Sequence, residues 1–179
     1  ILIYIETNKN CEIKPVVNEL AQKACELAKK LDNCEVNGVL IGSDLSCLVE
    51  QKTLFDNIYL ISDERLKIYN SDYYSRIMID LIKNTKPEIV LFGATTQGRD
   101  IAPRISASLH TGLTADCIGL DINEKGQLAA TRPTFGGKLM ATIICKTKPQ
   151  MATVRPRVFK PAAENIVKNT EFIYKTPQI

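Results

Sequence analysis

The first 110 residues alternate short apolar runs with segments in which apolar side chains recur at helical spacing. After Pro15, apolar residues return every three or four positions as far as Leu31, and proline suits a first helical turn because no backbone N–H is needed there. The predicted strands are Leu2–Ile5, Val36–Ile41, Asn57–Ile61 and Ile89–Phe92. The predicted helices are Pro15–Leu31, Asp44–Gln51, Asp72–Asn84 and Asp100–Leu109. Ser43 is a possible N-cap of the second helix, and Pro103 falls in the first turn of the fourth. This alternation is typical of βαβ units and predicts an α/β fold with a doubly wound, mainly parallel sheet.

The pattern changes in the C-terminal third of the chain. The further predicted strands are Leu113–Ile122, Gln127–Arg132, Leu139–Lys146 and Met151–Val154. Turn-forming residues separate these runs and no helical pattern lies between them, so we expect an antiparallel extension at one edge of the sheet. Prolines and polar residues then become frequent, which divides the chain into an α/β domain over 1–156 and a linker over 157–179 that contains a lone strand at Phe172–Tyr174.

Composition indicates an ordinary globular protein and excludes several classes. Of 179 residues, 45% are hydrophobic and 24% are charged, and a net charge of +3 without a basic tract argues against nucleic-acid binding. No apolar run approaches the length needed to span a bilayer, so no membrane insertion is expected. Six cysteines without a C-x-x-C pair and one histidine disfavour a zinc site, and Cys117 and Cys145 are interpreted as small core residues in a reducing compartment.

The segment LFGATTQGRD, residues 91–100, follows a predicted strand at the place where α/β sheets bind ligands. Gly93 and Gly98 match the first half of the phosphate-binding G-x-x-x-x-G-K-[ST] pattern, but Arg99 and Asp100 replace its lysine and hydroxyl. A carboxylate at that position would repel phosphate, so ATP hydrolysis through a P-loop mechanism is not expected. Two interpretations remain open: a helix start capped by Asp100 with Arg99 in a salt bridge, or an adenine-nucleotide site.

Other side chains offer few catalytic combinations. Thr95, Gly98, Arg99 and Arg132 are candidate ligand or interface residues, because hydroxyls, glycine N–H groups and arginines at strand ends suit anions or partner carboxylates. The remaining candidates are Thr96, Arg155 and Arg157. His110 is the only histidine, so any Ser-His-Asp or Cys-His site would have to use it, and no such arrangement stands out. The residues therefore predict a binding domain and no catalytic or metal site.

Three stretches together resemble the α subunit of electron transfer flavoprotein. They are GATTQGRDIAPRISASLHTGLTADC (93–117), TRPTFGGKLMATI (131–143) and KPQMATVRPRVF (148–159). Their order and spacing also resemble that family, and the likeness covers about the whole chain. Arg157 is a departure, because the family often has glycine after Val-Arg-Pro.

The resemblance implies the N-terminal domain of that subunit, with a fold like that of adenine-nucleotide α-hydrolases. In the family a C-terminal domain, whose motifs have no counterpart here, holds FAD. The partner β subunit binds AMP or a second FAD, and the heterodimer accepts electrons from dehydrogenases such as acyl-CoA dehydrogenases. This chain would then be a scaffold and a β-subunit interface rather than an enzyme, located in the bacterial cytoplasm or, in a eukaryote, the mitochondrial matrix. The alternative function is a stand-alone adenine-nucleotide-binding or hydrolysing module that uses residues 93–100.

Overall fold

The computed structural model describes residues 1–8, 12–46, 53–161 and 168–177. Their strands are β1 (Leu2–Tyr4), β2 (Asn37–Gly42), β3 (Asn57–Ser62), β4 (Ile89–Gly93), β5 (Leu113–Cys117), β6 (Gly119–Ile122), β7 (Leu128–Thr134), β8 (Leu139–Ile144), β9 (Gln150–Val154) and β10 (Glu171–Lys175). Their α-helices are α1 (Pro15–Ala28), α2 (Ser71–Thr85) and α3 (Thr96–Ser108).

The described strands form two sheets. One is a parallel sheet of seven strands in the order β10-β3-β2-β1-β4-β9-β5, and the other is an antiparallel sheet in the order β6-β7-β8. The predicted α/β fold with a mainly parallel sheet and an antiparallel extension is confirmed.

Helices cover both faces of the parallel sheet. Successive side chains of a strand point to opposite faces. Ile3 and Ile5 accordingly lie in the buried cluster that contains α1, whereas Leu2 and Tyr4 lie in the cluster that contains α2 and α3. Because β1 contributes apolar side chains to both clusters, its sequence is a continuous apolar run rather than an alternating one.

The position of Met151–Val154 differs from the prediction of an antiparallel edge strand. It belongs to β9, which lies inside the parallel sheet between β4 and β5. All five residues of β9 are buried, as expected for a strand that is covered on both faces. The small antiparallel sheet is therefore an excursion of the chain between two neighbouring parallel strands.

The predicted strand Leu113–Ile122 is two strands in different sheets. Asp116 has a φ of +58°, and the pairing of β5 with β9 shifts in register between Thr114 and Cys117. A left-handed residue next to a shift in register redirects the strand. The chain consequently leaves the parallel sheet after β5 and enters the small sheet as β6.

The prediction that the strand at Phe172–Tyr174 stands alone is also wrong, because that strand is paired. Residues 171–175 form β10, which pairs in parallel with β3 at the edge of the sheet. Just before it, Lys168 makes an ion pair of 2.7 Å with Asp56. This part of the predicted linker is thus a strand of the α/β domain, while the prediction that residues 157–179 lead toward another domain stays a prediction.

Two other expectations need correction or fall outside the described residues. Helix α3 begins at Thr96 rather than Asp100, which places Pro103 inside the helix instead of in its first turn. The predicted helix Asp44–Gln51 lies largely outside the described residues. In its described part, the Asp44 carboxylate accepts hydrogen bonds from the backbone N–H and the hydroxyl of Ser46.

The two cysteines interpreted as core residues differ in their surroundings. Cys117 is fully buried, and this burial raises the pKa of its thiol to about 11. Cys145 is only half-buried, so its assignment to the core is wrong. Burial alone would raise the pKa of the Cys145 thiol, but hydrogen bonds with Thr147 and Thr111 outweigh that effect and lower the pKa.

The junction between β4 and α3 requires glycine at position 98. A Cβ atom placed on Gly98 would lie 2.0 Å from the carbonyl oxygen of Gly93, a distance that no real contact allows. Gly93 is itself confined, because its Cβ would lie 2.9 Å from a methyl group of Val16 on α1. Both glycines of the loop therefore have a packing reason to be present.

A buried carboxylate on α1 holds the chain that leaves β9. Glu19 is 5% exposed, and its two carboxylate oxygens accept hydrogen bonds from the backbone N–H groups of Arg157, Val158 and Phe159, at 3.1, 3.2 and 3.4 Å. Arg157 adopts a φ of +65° in this segment, although its side chain is exposed. The left-handed conformation costs an L-residue free energy that glycine avoids.

We expect Gly98→Ala to lower the free energy of unfolding by about 3 kcal/mol, because the new methyl group must displace the backbone of β4 or α3. Urea titration followed by circular dichroism measures the change. Gly136→Ala is the control, since Gly136 has a φ of +67° but no atom within 4 Å of its added Cβ, so only about 1 kcal/mol of strain is expected. Equal effects of the two substitutions would contradict the role given to the close contact.

Arg157→Gly should raise the free energy of unfolding by about 1 kcal/mol, because it removes backbone strain at an exposed position. Thermal unfolding by calorimetry checks this expectation. Arg157→Ala removes the same guanidinium and keeps Cβ, so it should bring no gain. A gain from alanine as large as that from glycine would mean that the side chain, and not the backbone, is responsible.

Candidate functional site

The order of the parallel strands reverses between β1 and β4. Strands β2, β3 and β10 lie on one side of β1, and β4, β9 and β5 lie on the other. Open α/β sheets bind ligands outside the carboxyl ends of their strands at such a switch point. Two described residues occupy that position: Glu6, which follows β1, and Thr95, which follows β4.

Glu6 is a buried carboxylate whose two oxygens are both paired. Its side chain is 1% exposed, and Oε2 lies 2.8 Å from Nζ of Lys14, the residue that precedes α1. Oε1 accepts a hydrogen bond of 2.6 Å from the hydroxyl of Thr95. That hydroxyl also accepts the backbone N–H of Gly98 at 3.1 Å, so Thr95 is the N-cap of α3.

This arrangement places a negative charge at the N-terminus of α3. The positive end of the helix dipole therefore already has an anion beside it, supplied by the protein. The Glu6 charge by itself would repel a second unit negative charge about 4 Å away by about 4 kcal/mol at an effective dielectric constant of 20. The ammonium group of Lys14 offsets part of this repulsion, so Glu6 makes the switch point less favourable for a phosphate group without closing it.

Arg99 and Asp100 have the partners that attach α3 to its neighbours. Nε and a terminal nitrogen of Arg99 both lie 3.1 Å from Oδ1 of Asp116, so the salt bridge considered for Arg99 is present.

Asp100 does not cap the helix, because α3 starts four residues earlier. It accepts hydrogen bonds from the Tyr69 hydroxyl at 2.6 Å and from Nε of Arg104 at 3.3 Å. Burial, and then the bond to Asp100, raise the pKa of Tyr69.

Arg132 lies in a separate depression. Arg132 on β7 and Arg155 just after β9 line it together with the turn that joins β7 to β8, and the depression has a volume of about 670 Å³. Nε of Arg132 is buried and has no hydrogen-bond partner among the described residues. The structure therefore brings Thr95, Gly98 and Arg99 together at the start of α3, but places Arg132 at the small sheet.

An exposed apolar surface adjoins this depression. We call it the β8 face, and it consists of Phe135 at 79%, Leu139 at 59% and Ile143 at 40% exposure. Leu139 and Ile143 lie on the same side of the small sheet as Arg132, whereas the exposed Met140 and Ile144 lie on its other side. Strand β8 pairs with β7 alone among the described strands, so its other edge is unpaired. Large apolar side chains exposed together at an unpaired strand favour an interaction site over a purely structural role.

Sequence reasoning missed both buried carboxylates, Glu6 and Glu19. The position of Glu6 directly after a buried strand was the available signal, because charged residues at strand ends often face the ligand side of the sheet. Within residues 1–8, 12–46, 53–161 and 168–177, no group of three His, Cys, Asp or Glu side chains could hold a metal ion. No helix among those same residues has the length and apolar character needed to cross a membrane.

Known proteins resemble this chain along most of its length. The sequence model of the family described as "Electron transfer flavoprotein domain" matches residues 1–174. "Electron transfer flavoprotein subunit alpha" of Thermoanaerobacterium thermosaccharolyticum is 44% identical over 168 residues, which is 92% of this chain and 51% of that protein. The protein of the same name from Clostridium acetobutylicum is 45% identical over 153 residues, covering 83% of this chain and 45% of that protein.

A third relative has a different name. "Acryloyl-CoA reductase electron transfer subunit beta" of Anaerotignum propionicum is 39% identical over 151 residues, which is 70% of this chain and 41% of that protein. The chain spans about half the length, or less, of these curated relatives. The family match nevertheless includes nearly every residue of the chain and agrees with its doubly wound fold. This chain belongs to the electron transfer flavoprotein domain family.

Proposed function

We propose that this chain is the N-terminal scaffold of an electron transfer flavoprotein α subunit and forms the interface with a β subunit. The carrier would hold FAD mainly through a further domain of the α subunit, and AMP or a second FAD in the β subunit. The family match and the names of the relatives support this proposal. In this proposal the chain has no catalytic site of its own.

The observation that carries the proposal is the contrast between two surfaces. At the usual ligand position of the fold, Glu6 and Thr95 are hydrogen-bonded to each other, so the hydroxyl of Thr95 donates to a carboxylate of the chain and not to a nucleotide phosphate. The β8 face instead exposes large apolar side chains to solvent. This distribution favours protein binding over nucleotide binding.

The proposed electron donors are dehydrogenases such as acyl-CoA dehydrogenases. Support comes from the relative named as the electron transfer subunit of acryloyl-CoA reductase. The relatives described above come from bacteria, which favours a bacterial cytoplasmic carrier over one in the mitochondrial matrix.

We expect purified chain 1–179 to be colourless and to give no heat with AMP, ATP or FAD at millimolar concentration. The full-length α subunit produced together with its β subunit should retain flavin absorbance through gel filtration. Spectrophotometry and titration calorimetry provide these measurements. Stoichiometric, tight FAD binding by residues 1–179 alone would overturn the scaffold role, and binding of AMP or ATP alone would support the alternative nucleotide-binding module.

Leu139→Glu should weaken association of the α and β subunits at least tenfold, or about 1.4 kcal/mol, because it places a charge in the apolar β8 face. Surface plasmon resonance measures the affinity, and thermal unfolding of the free subunit should be unchanged. Ile68→Glu is the matched control, since Ile68 is 80% exposed but follows β3, on the other side of β1 from the small sheet. If both variants assemble like the unmodified subunit, the β8 face is not the interface.

A further inference from the structure

The depression beside the β8 face is lined by positive side chains and by no negative ones. Arg132 and Arg155 line it, and neither side chain takes part in any ion pair of the described residues. The other lining residues are Pro133, Thr134 and the turn Phe135–Gly137, none of which carries a charged side chain. Two guanidinium groups thus face an open space of about 670 Å³ without a neutralising anion.

Arg132 provides the more specific signal. Its Nε is buried and lacks a hydrogen-bond partner among the described residues. A buried donor on a charged group that has neither water nor an acceptor is unfavourable. An anion bound in the depression would offset this cost electrostatically by neutralising the guanidinium charge.

Arg99 offers a comparison within the same molecule. Its guanidinium group has a carboxylate partner in Asp116, which belongs to the chain itself. Asp116 directly precedes Cys117, and the carbonyl oxygen of Cys117 accepts the backbone N–H of Arg155 at 3.0 Å. The chain therefore supplies an acidic partner for Arg99 in the first turn of α3 and, among the described residues, supplies none for Arg132 and Arg155.

The surroundings of the two arginines indicate the source of the anion. Phe135 lies on the wall of the depression with 79% of its surface exposed, and Leu139 and Ile143 continue the exposed apolar side chains along β8 on the side of Arg132. A free phosphate ion would neutralise the arginines but leave this apolar area in contact with water. A protein surface can cover the apolar area and present a carboxylate at the same time.

We propose that Arg132 and Arg155 form a socket for one Asp or Glu side chain of the β subunit. This inference rests on the proposed function, because the β subunit is the partner assigned to the β8 face. The planar guanidinium groups bind a carboxylate through paired hydrogen bonds, which fixes its orientation as well as its position. The socket would therefore set how the partner is aligned on the apolar face.

Carbodiimide coupling in the assembled complex tests the socket directly. Arg155→Lys and Arg132→Lys, made separately, each place a primary amine where a guanidinium group was. Carbodiimide joins an amine to a carboxylate only when the two groups touch. Peptide mass spectrometry should then find an amide between the introduced amine and one acidic residue of the β subunit. The unmodified complex shows the background from native lysines, and Arg76→Lys on the exposed surface of α2 is the matched control.

A charge exchange provides a second, independent measurement. Arg155→Glu should reduce the affinity between subunits at least tenfold, with the same thermal unfolding temperature for the free α subunit. Replacing the coupled acidic residue of the β subunit by arginine should restore the affinity of that variant. If the complex assembles but neither coupling nor a loss of affinity is seen, the socket is wrong and the proposed function stands.

Two further outcomes distinguish a carboxylate of the β subunit from a small free anion. If the unmodified α and β subunits do not assemble at all, the proposed function fails and the socket fails with it. Titration of the isolated chain with inorganic phosphate, followed by the Nε–Hε NMR signal of Arg132, tests for a free-anion site. Saturation at millimolar phosphate together with absence of coupling would assign the depression to a small anion and overturn the inference.

Discussion

The carboxylate of Glu6 is the constraint on which the ligand side of this domain depends. It is buried, so its charge requires close partners, and it takes them from the residues that start the two helices beside β1 and β4. One side chain thereby fixes the end of a central strand, the approach to α1 and the first turn of α3. The same contacts lie at the switch point where open α/β sheets bind ligands. The structural pairing of Glu6 thus also determines the charge and the free hydrogen-bonding groups at that position.

The alternation of strands and helices could be predicted because each signal is local. Ile89–Phe92 is a continuous apolar run, as expected for a strand covered on both faces, and α2 begins after a residue that caps it. The partners of the later strands depend on contacts between distant residues. Nothing in the composition of Met151–Val154 distinguishes an edge strand from β9, which has neighbours on both sides. The left-handed conformation of Asp116 near the end of β5 could not be predicted either, because the residue is not a glycine.

The same distinction between local signals and contacts of distant residues applies to the candidate site. The salt bridge of Arg99 could be predicted, because an exposed arginine near a helix start commonly finds a carboxylate. The sequence pattern favours Asp100 over Thr95 as the N-cap of α3, because the spacing of Gly93 and Gly98 does not indicate where the helix begins. The decisive contact joins Thr95 to Glu6 across 89 residues, and no spacing rule can reveal it. The ability of each side chain to form hydrogen bonds or ion pairs could be predicted, whereas the long-range pairing of Thr95 with Glu6 could not.

The excursion between β5 and β9 explains why this domain has a surface suited to a partner. Neighbouring parallel strands are usually joined by a helix that covers the sheet with a polar outer surface. Here the connection is an antiparallel sheet whose inner side adds Leu120 and Leu128 to the core, while β8 stays exposed. An apolar face supplies area for binding but little orientation. Two arginines at its margin, without ion-pair partners among the described residues, supply direction, because charge pairs restrict the alignment of partners more than they increase affinity.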